Sequence, residues 1–167
     1  MSTVTFVISY AYTVTHVTAK ILHILTNIIR DIGLDPSKLV GDWAVYEDGI
    51  STWLASRHLQ RVTLEVYDPK TNDLVTRWDM DVVYSSVGDG NLWFDAAAVR
   101  YAIAKAGLVP FSCRYDIKVK TLPNEPYVAG WSSCSFRSTD GFKRYAVGAT
   151  IGGNGLATET AYWSRGC

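Results

Sequence analysis

From Tyr12 to Ile32 an apolar residue recurs every three or four positions: Val14, Val17, Ile21, Leu25, Ile28 and Ile32. That is the spacing of an α-helix. Leu22, Ile24 and Ile29 widen the stripe far past one narrow face. A helix this apolar has to be covered on most of its circumference. It belongs at the centre of the fold, with the other elements arranged around it. Gly33 stands where a C-terminal cap glycine belongs, and Pro36 lies just beyond. His23, Asn27, Arg30 and Asp31 interrupt the apolar run, which makes it too short and too polar to cross a bilayer.

The rest of the chain supplies candidates for that cover. Asp35-Pro36 predicts a second helix, with Asp35 as N-cap and Pro36 at the first helical position. Its buried stripe is Leu39, Trp43, Tyr46, Ile50, Trp53 and Leu54, and Gly41 and Gly49 weaken it. A hairpin follows. Val62, Leu64 and Val66 alternate with Thr63, Glu65 and Tyr67, and a turn runs from Asp68 to Asp73. On the return strand Leu74, Thr76, Trp78, Met80, Val82 and Tyr84 alternate with Val75, Arg77, Asp79, Asp81 and Val83. One face is apolar and the other largely charged, which predicts helices on one side and water on the other. After a Gly88-Asp89-Gly90 loop, Asp95 caps a third helix, Ala96 to Ala106, stopped by Gly107 and Pro110. Tyr115, Ile117 and Val119 then alternate with Arg114, Asp116, Lys118 and Lys120, the cleanest strand pattern in the chain. Thr3 to Tyr10 reads as a short strand or an extended arm. The class is α+β, in one domain of 167 residues with no linker or internal repeat.

The last quarter, about Leu122 to Cys167, has a different character. Gly130, Gly141, Gly148, Gly152, Gly153, Gly155 and Gly166 alternate with Trp131, Phe136, Tyr145, Tyr162 and Trp163. The glycines oppose a helix, while the aromatics give the segment apolar area to bury. Such a segment can pack in more than one way, which suits a switch better than a rigid catalytic frame.

Few chemistries survive a check of the residues. Lys+Arg and Asp+Glu both number 16, so no electrostatic footprint for nucleic acid or an anionic membrane exists. The chain starts Met1-Ser-Thr-Val without the basic start of a signal peptide. Cys113, Cys134 and Cys167 form no C-x-x-C pair. A reduced cytoplasmic location is therefore expected. Glu65, Asp79 and Asp81 share one hairpin face and could hold Mg²⁺, but no phosphate-cradling Gly-Ser element stands upstream. A solvated strand face with Arg77 or a lysine as cross-strand partner is the plainer reading. His16 and His23 are seven apart, not the three or four that helical metal pairs use. Gly152-Gly153-Asn154-Gly155 matches no phosphate loop and reads as a turn. No cofactor is implied. The strand from Arg114 to Lys120, followed by the tail, suits β-augmentation, in which a partner peptide adds a strand.

Several stretches together resemble the HORMA domain, with the closest likeness to the bacterial HORMA proteins of CBASS anti-phage operons. They are Gly33-Leu34-Asp35-Pro36, Thr52-Trp53-Leu54, the strand Val75 to Tyr84, Tyr101 to Leu108, Gly130-Trp131-Ser132 and Arg137 to Gly141. The resemblance implies a HORMA fold, three central helices on a largely antiparallel sheet with a C-terminal safety belt. The core would span about 1–121 and the belt about 122–167. It implies that a closure-motif peptide pairs with the strand carrying Arg114, Tyr115, Asp116, Ile117, Lys118, Val119 and Lys120. The belt, with Trp131, Phe136, Tyr145, Tyr162 and Trp163, would wrap that peptide. It implies two protein partners, a CD-NTase (cGAS/DncV-like nucleotidyltransferase) that the closed complex activates and a Pch2-type AAA+ ATPase that engages the arm from about Ser2 to Tyr10. It implies no enzymatic activity of the domain itself. Thr160 to Cys167 reads as belt, which favours the peptide-binding role.

Overall fold

A computed structural model describes residues 9–85 and 91–165. The strands are β1 (Leu59–Tyr67), β2 (Leu74–Tyr84), β3 (Trp93–Phe94), β4 (Arg114–Thr121), β5 (Lys143–Gly153) and β6 (Leu156–Ser164). They form one sheet in the order β3-β5-β6-β2-β1-β4. Every pairing is antiparallel.

The long helix α1 (Tyr10–Asp31) is central, as its breadth requires. Ser9 caps it, its hydroxyl accepting from the Tyr12 N–H. Val17, Ile21, Leu22, Ile24, Leu25, Ile28 and Ile29 are fully buried. The cover comes from the helices α3 (Trp43–Ala55) and α4 (Ala96–Ala106) and from strands β5 and β6. Half of the glycine-rich tail is thus a regular hairpin that helps bury the first helix. Gly33 ends α1 with φ +99°, a conformation glycine reaches without strain.

The expected second helix is divided at Asp42 into a short α2 (Ser37–Gly41) and α3. The N-cap is Pro36 rather than the expected Asp35, and the helix starts one residue later than expected; Asp35 Oδ1 accepts from the Ser37 N–H at 2.9 Å in the turn before it. The expected third helix, α4, has its predicted bounds, with the Asp95 carboxylate accepting from the Ala98 N–H at 3.0 Å. No helix among the described residues is long and apolar enough to cross a membrane. Gly88-Asp89-Gly90, Gly166, Cys167 and the arm up to residue 8 lie outside the described residues.

One expectation is corrected. Val62, Leu64, Val66, Trp78 and Met80 face the helices, as the alternation predicts. The middle of the opposite, charged face of the hairpin does not meet water, while Arg61, Asp81 and Val83 at its end do. Thr63 and Glu65 are 0% exposed and Asp79 2%. Alternation places charged residues on a common face, but it does not say what lies over that face. Here it is the stretch around Phe136 and Arg137, with Trp163 of β6 beside it.

Candidate functional site

Strand β4 is an edge. β1 occupies one side, and among the described residues no strand pairs with the other. Such an edge offers a row of free N–H and C=O groups. The Tyr115 carbonyl points outward, accepting from Lys38 Nζ at 3.1 Å. In an antiparallel strand alternate residues aim their main-chain groups to the same side. Ile117 and Val119 therefore also present N–H and C=O outward, while Arg114, Asp116 and Lys118 bond β1. The side chains of Tyr115 and Ile117 are buried in the core. The Tyr115 hydroxyl donates to the Asp35 carbonyl at 2.9 Å and accepts from the Leu39 N–H at 3.3 Å. Burial pushes this phenol's pKa up.

A groove follows the free edge. Its middle part, about 600 Å³, lies between Val45 and Tyr46 of α3, residues 116–119 of β4, and Gly130 to Ser132 with Cys134 overhead. It continues past Val119 to Thr121 between Trp53, Pro126 and Val128. At the other end Phe111, Tyr67 and Lys38 border Arg114 and Tyr115.

The segment after β4 straddles this groove. Its first half is fastened to the helix layer. The Leu122 N–H donates to the His58 carbonyl at 2.8 Å, and Trp53 Nε1 donates to the Pro126 carbonyl at 2.8 Å. Trp131 Nε1 donates to the Val45 carbonyl at 3.0 Å, and its ring meets Tyr46 and Trp53 edge to face. That ring fits because position 49 is glycine: a Cβ there would lie 2.3 Å from Trp131 Nε1. Ser132, Ser133 and Cys134 then cross the edge, exposed.

The second half is fastened to the far face of the sheet. Glu65 lies fully buried and accepts three bonds, from Lys118 Nζ at 2.6 Å and from the Arg137 guanidinium at 2.7 Å and backbone N–H at 2.8 Å. Lys118 Nζ also donates to the Ser135 carbonyl at 2.7 Å. Arg137 reaches Asp116 at 2.9 Å and Asn72, with its guanidinium 3.7 Å from the Tyr67 ring centroid. The chain then enters β5, and β6 returns along β2, on the flank away from β4.

The proposed site residues divide accordingly. Tyr115, Ile117 and Val119 offer main chain to the groove, and Asp116 and Lys118 hold the crossing segment. Arg114 and Lys120 are exposed. Trp131 borders the groove, and Phe136 lies on the far face, 5.2 Å from the Arg77 guanidinium and 5.9 Å from Lys118 Nζ. Tyr145 and Tyr162 stack in series on Trp78, and Trp163 Nε1 donates to Asp79 Oδ2 at 2.9 Å. Tyr145 and Tyr162 lie on the helix face and Trp163 on the far face, all on strands that β1 and β2 separate from β4. Lys38, Gly49 and Arg137 carry roles that sequence reading did not assign. An isolated glycine in a helical stripe often marks a close approach, and that signal was available at Gly49.

The three carboxylates of the metal reading share a face, but each is already bonded by neighbouring side chains. Glu65 is held by Lys118 and Arg137. Asp79 accepts from Arg77, Thr63 and Trp163, and Asp81 from Arg61 at 2.6 Å. Among the described residues no three His, Cys, Asp or Glu side chains are grouped to hold a metal ion. The arrangement ties strands together. Cys134 is a free, exposed thiol, and Cys113 is buried.

Comparison with solved structures finds the same fold. The chain is similar to C. elegans HTP-2 bound to the HIM-3 closure motif, with a TM-score of 0.75, 13% identity, and coverage of 97% of this chain and 94% of that one. It is similar to a chain of the mitotic checkpoint complex, TM-score 0.74 and 9% identity, covering 92% and 99%. It is also similar to a chain of the E. coli MS115-1 CdnC:HORMA-deltaN complex, TM-score 0.59 and 12% identity, covering 100% and 94%. Among curated proteins none matches the chain in sequence. The family described as bacterial HORMA domain 2 matches residues 1–166, so the chain belongs to the bacterial HORMA domains.

Proposed function

We propose that this chain is the regulatory, peptide-binding switch of a CBASS anti-phage system. A closure-motif peptide pairs with the outer edge of β4, and residues from about Leu122 onward act as the safety belt that retains it. The closed complex binds and activates a CD-NTase, which makes a cyclic oligonucleotide messenger. A Pch2-type AAA+ ATPase reopens the belt. The domain acts as an adaptor and catalyses no reaction itself.

The observation that carries this reading is the free edge of β4, lying in a groove that the following segment already bridges. Main-chain pairing supplies affinity with little demand on sequence, and alternate side chains of the peptide reach the walls. Because the bridging segment is fastened on both sides, a peptide beneath it leaves only when one fastening opens. Release is then slow, which fits an ATP-driven remodeller. The relatives bound to closure motifs and the CdnC:HORMA-deltaN complex support the same partners.

Val119→Pro tests the core of the proposal. The Val119 N–H faces outward, so proline removes no bond to β1 but removes a donor at the edge. The variant is expected to keep its circular dichroism spectrum and melting behaviour, to lose peptide binding, and to lose activation of its CD-NTase. Unchanged peptide affinity in a folded Val119→Pro protein refutes pairing at β4.

A further inference from the structure

Lys38 stands where the first main-chain bond of an added strand has to form. Its ammonium occupies the outward Tyr115 carbonyl at 3.1 Å, and it lies 5.7 Å from the centroid of the Tyr115 ring. A lysine on a free edge also discourages unwanted strand pairing. A strand that pairs with β4 must put an N–H on this carbonyl, and the ammonium must then leave it.

The displaced ammonium keeps only a shared and more distant partner. Asp116 Oδ1 lies 3.5 Å away, and its other oxygen, Oδ2, is held by Arg137 at 2.9 Å, so its charge is divided between the two cations. The Asp35 carboxylate already accepts from the Ser37 N–H. Arg114, exposed beside Tyr115, adds a second positive charge to this end of the groove. Asp42 borders the middle part of the groove together with Lys38, and no bond joins the two side chains.

We propose that Lys38 selects the ligand, so that the peptide pairing with β4 carries an Asp or Glu side chain beside Tyr115. The proposal rests on β4 being the peptide-pairing edge. The acidic side chain takes the ammonium that the peptide's main chain has displaced, in a charge-assisted hydrogen bond. An uncharged peptide leaves the ammonium to water and to the Asp116 carboxylate that it shares with Arg137.

The test is selection of short random peptides, displayed on phage, against the full-length chain. Wild-type pools are expected to share Asp or Glu at one position. Changing that residue to Asn or Gln in a synthetic peptide is expected to weaken binding about tenfold, an amount equal to about 1.4 kcal/mol. Lys38→Met should bind both peptides alike, and Lys38→Glu should enrich Lys or Arg at the same position. Pools of the same charge from wild type and Lys38→Glu overturn the proposal. If Val119→Pro enriches the same peptides as wild type, the edge reading falls, and the Lys38 proposal falls with it.

Discussion

Gly49→Ala separates a belt that depends on its Trp131 seat from one that only rests there. In an ordinary helix this change stabilises by about 1 kcal/mol. Here the new Cβ would lie 2.3, 2.5 and 2.7 Å from Nε1, Cε2 and Cζ2 of Trp131. The atoms cannot approach so closely, and the ring has to leave. It loses its bond to the Val45 carbonyl, which contributes about 1 kcal/mol. It also loses edge-to-face contacts with Tyr46 and Trp53, which contribute about 0.5–1.5 kcal/mol each. A loss of about 2–4 kcal/mol against a gain of about 1 leaves belt docking weaker by roughly 1–3 kcal/mol. The sign depends on the ring. In a Trp131→Ala background the three atoms nearest the methyl are gone, and Gly49→Ala should stabilise by about 1 kcal/mol. Urea unfolding of the four proteins closes the double-mutant cycle. Limited proteolysis within Leu122 to Phe142 reports on docking directly, with cleavage about tenfold faster in Gly49→Ala, since about 1.4 kcal/mol is tenfold. If Gly49→Ala stabilises equally with and without Trp131, the seat is not a docking point and the reasoning fails.

Glu65→Gln should destabilise by about 3–5 kcal/mol in denaturant titration, because it leaves the Lys118 and Arg137 cations on a covered face without their shared anion; a change under about 1 kcal/mol would show that the cluster does not hold the belt. Burial raises the phenol pKa values of Tyr84 and Tyr10, which donate to the Leu59 and Leu54 carbonyls. Unfolded phenols release their protons near pH 10 while the folded ones keep theirs, so stability is intact below about pH 10 and falls above it. Melting temperatures across that range should show the fall, and Tyr84→Phe should flatten it. Asp81→Asn should leave nucleotidyltransferase activation intact; loss of activation in a folded protein would restore the metal reading.

The sequence was legible where one element determines its own pattern. Breadth of apolar spacing placed α1 at the centre, and Asp95 with Gly107 set both ends of α4. Alternation over Arg114 to Lys120 located β4 and its core-facing residues. It was illegible where the answer lies in a distant partner. Glu65, Arg77 and Asp79 read as a wet face because the residues covering them are 53 or more positions away along the chain, as with Glu65 and Lys118. The hairpin in the tail escaped because its glycines at 148, 152 and 153 suppress the strand propensity of Val147, Thr150 and Ile151. The Asn154-Gly155 pair, a short-range hairpin signal, was the clue available there. Gly152 itself is a packing residue: a Cβ on it would meet the Trp93 ring at 2.2 Å.

The charges on β4 give the strand a second part to play. Tyr115, Ile117 and Val119 turn main chain outward, so an added strand is recognised by residues whose side chains are committed to the core. The alternate residues Asp116 and Lys118 turn their side chains to the far face and hold Arg137 and the Ser135 carbonyl. Asp116 also lies within reach of Lys38 at the groove. Edge and belt therefore share one carboxylate: when a peptide acid draws Lys38 away, Asp116 is left to Arg137 alone. In a binding assay this appears as coupling, with the penalty for Arg137→Lys larger for an acidic peptide than for its amide counterpart. Equal penalties for the two peptides would mean that groove and belt act independently.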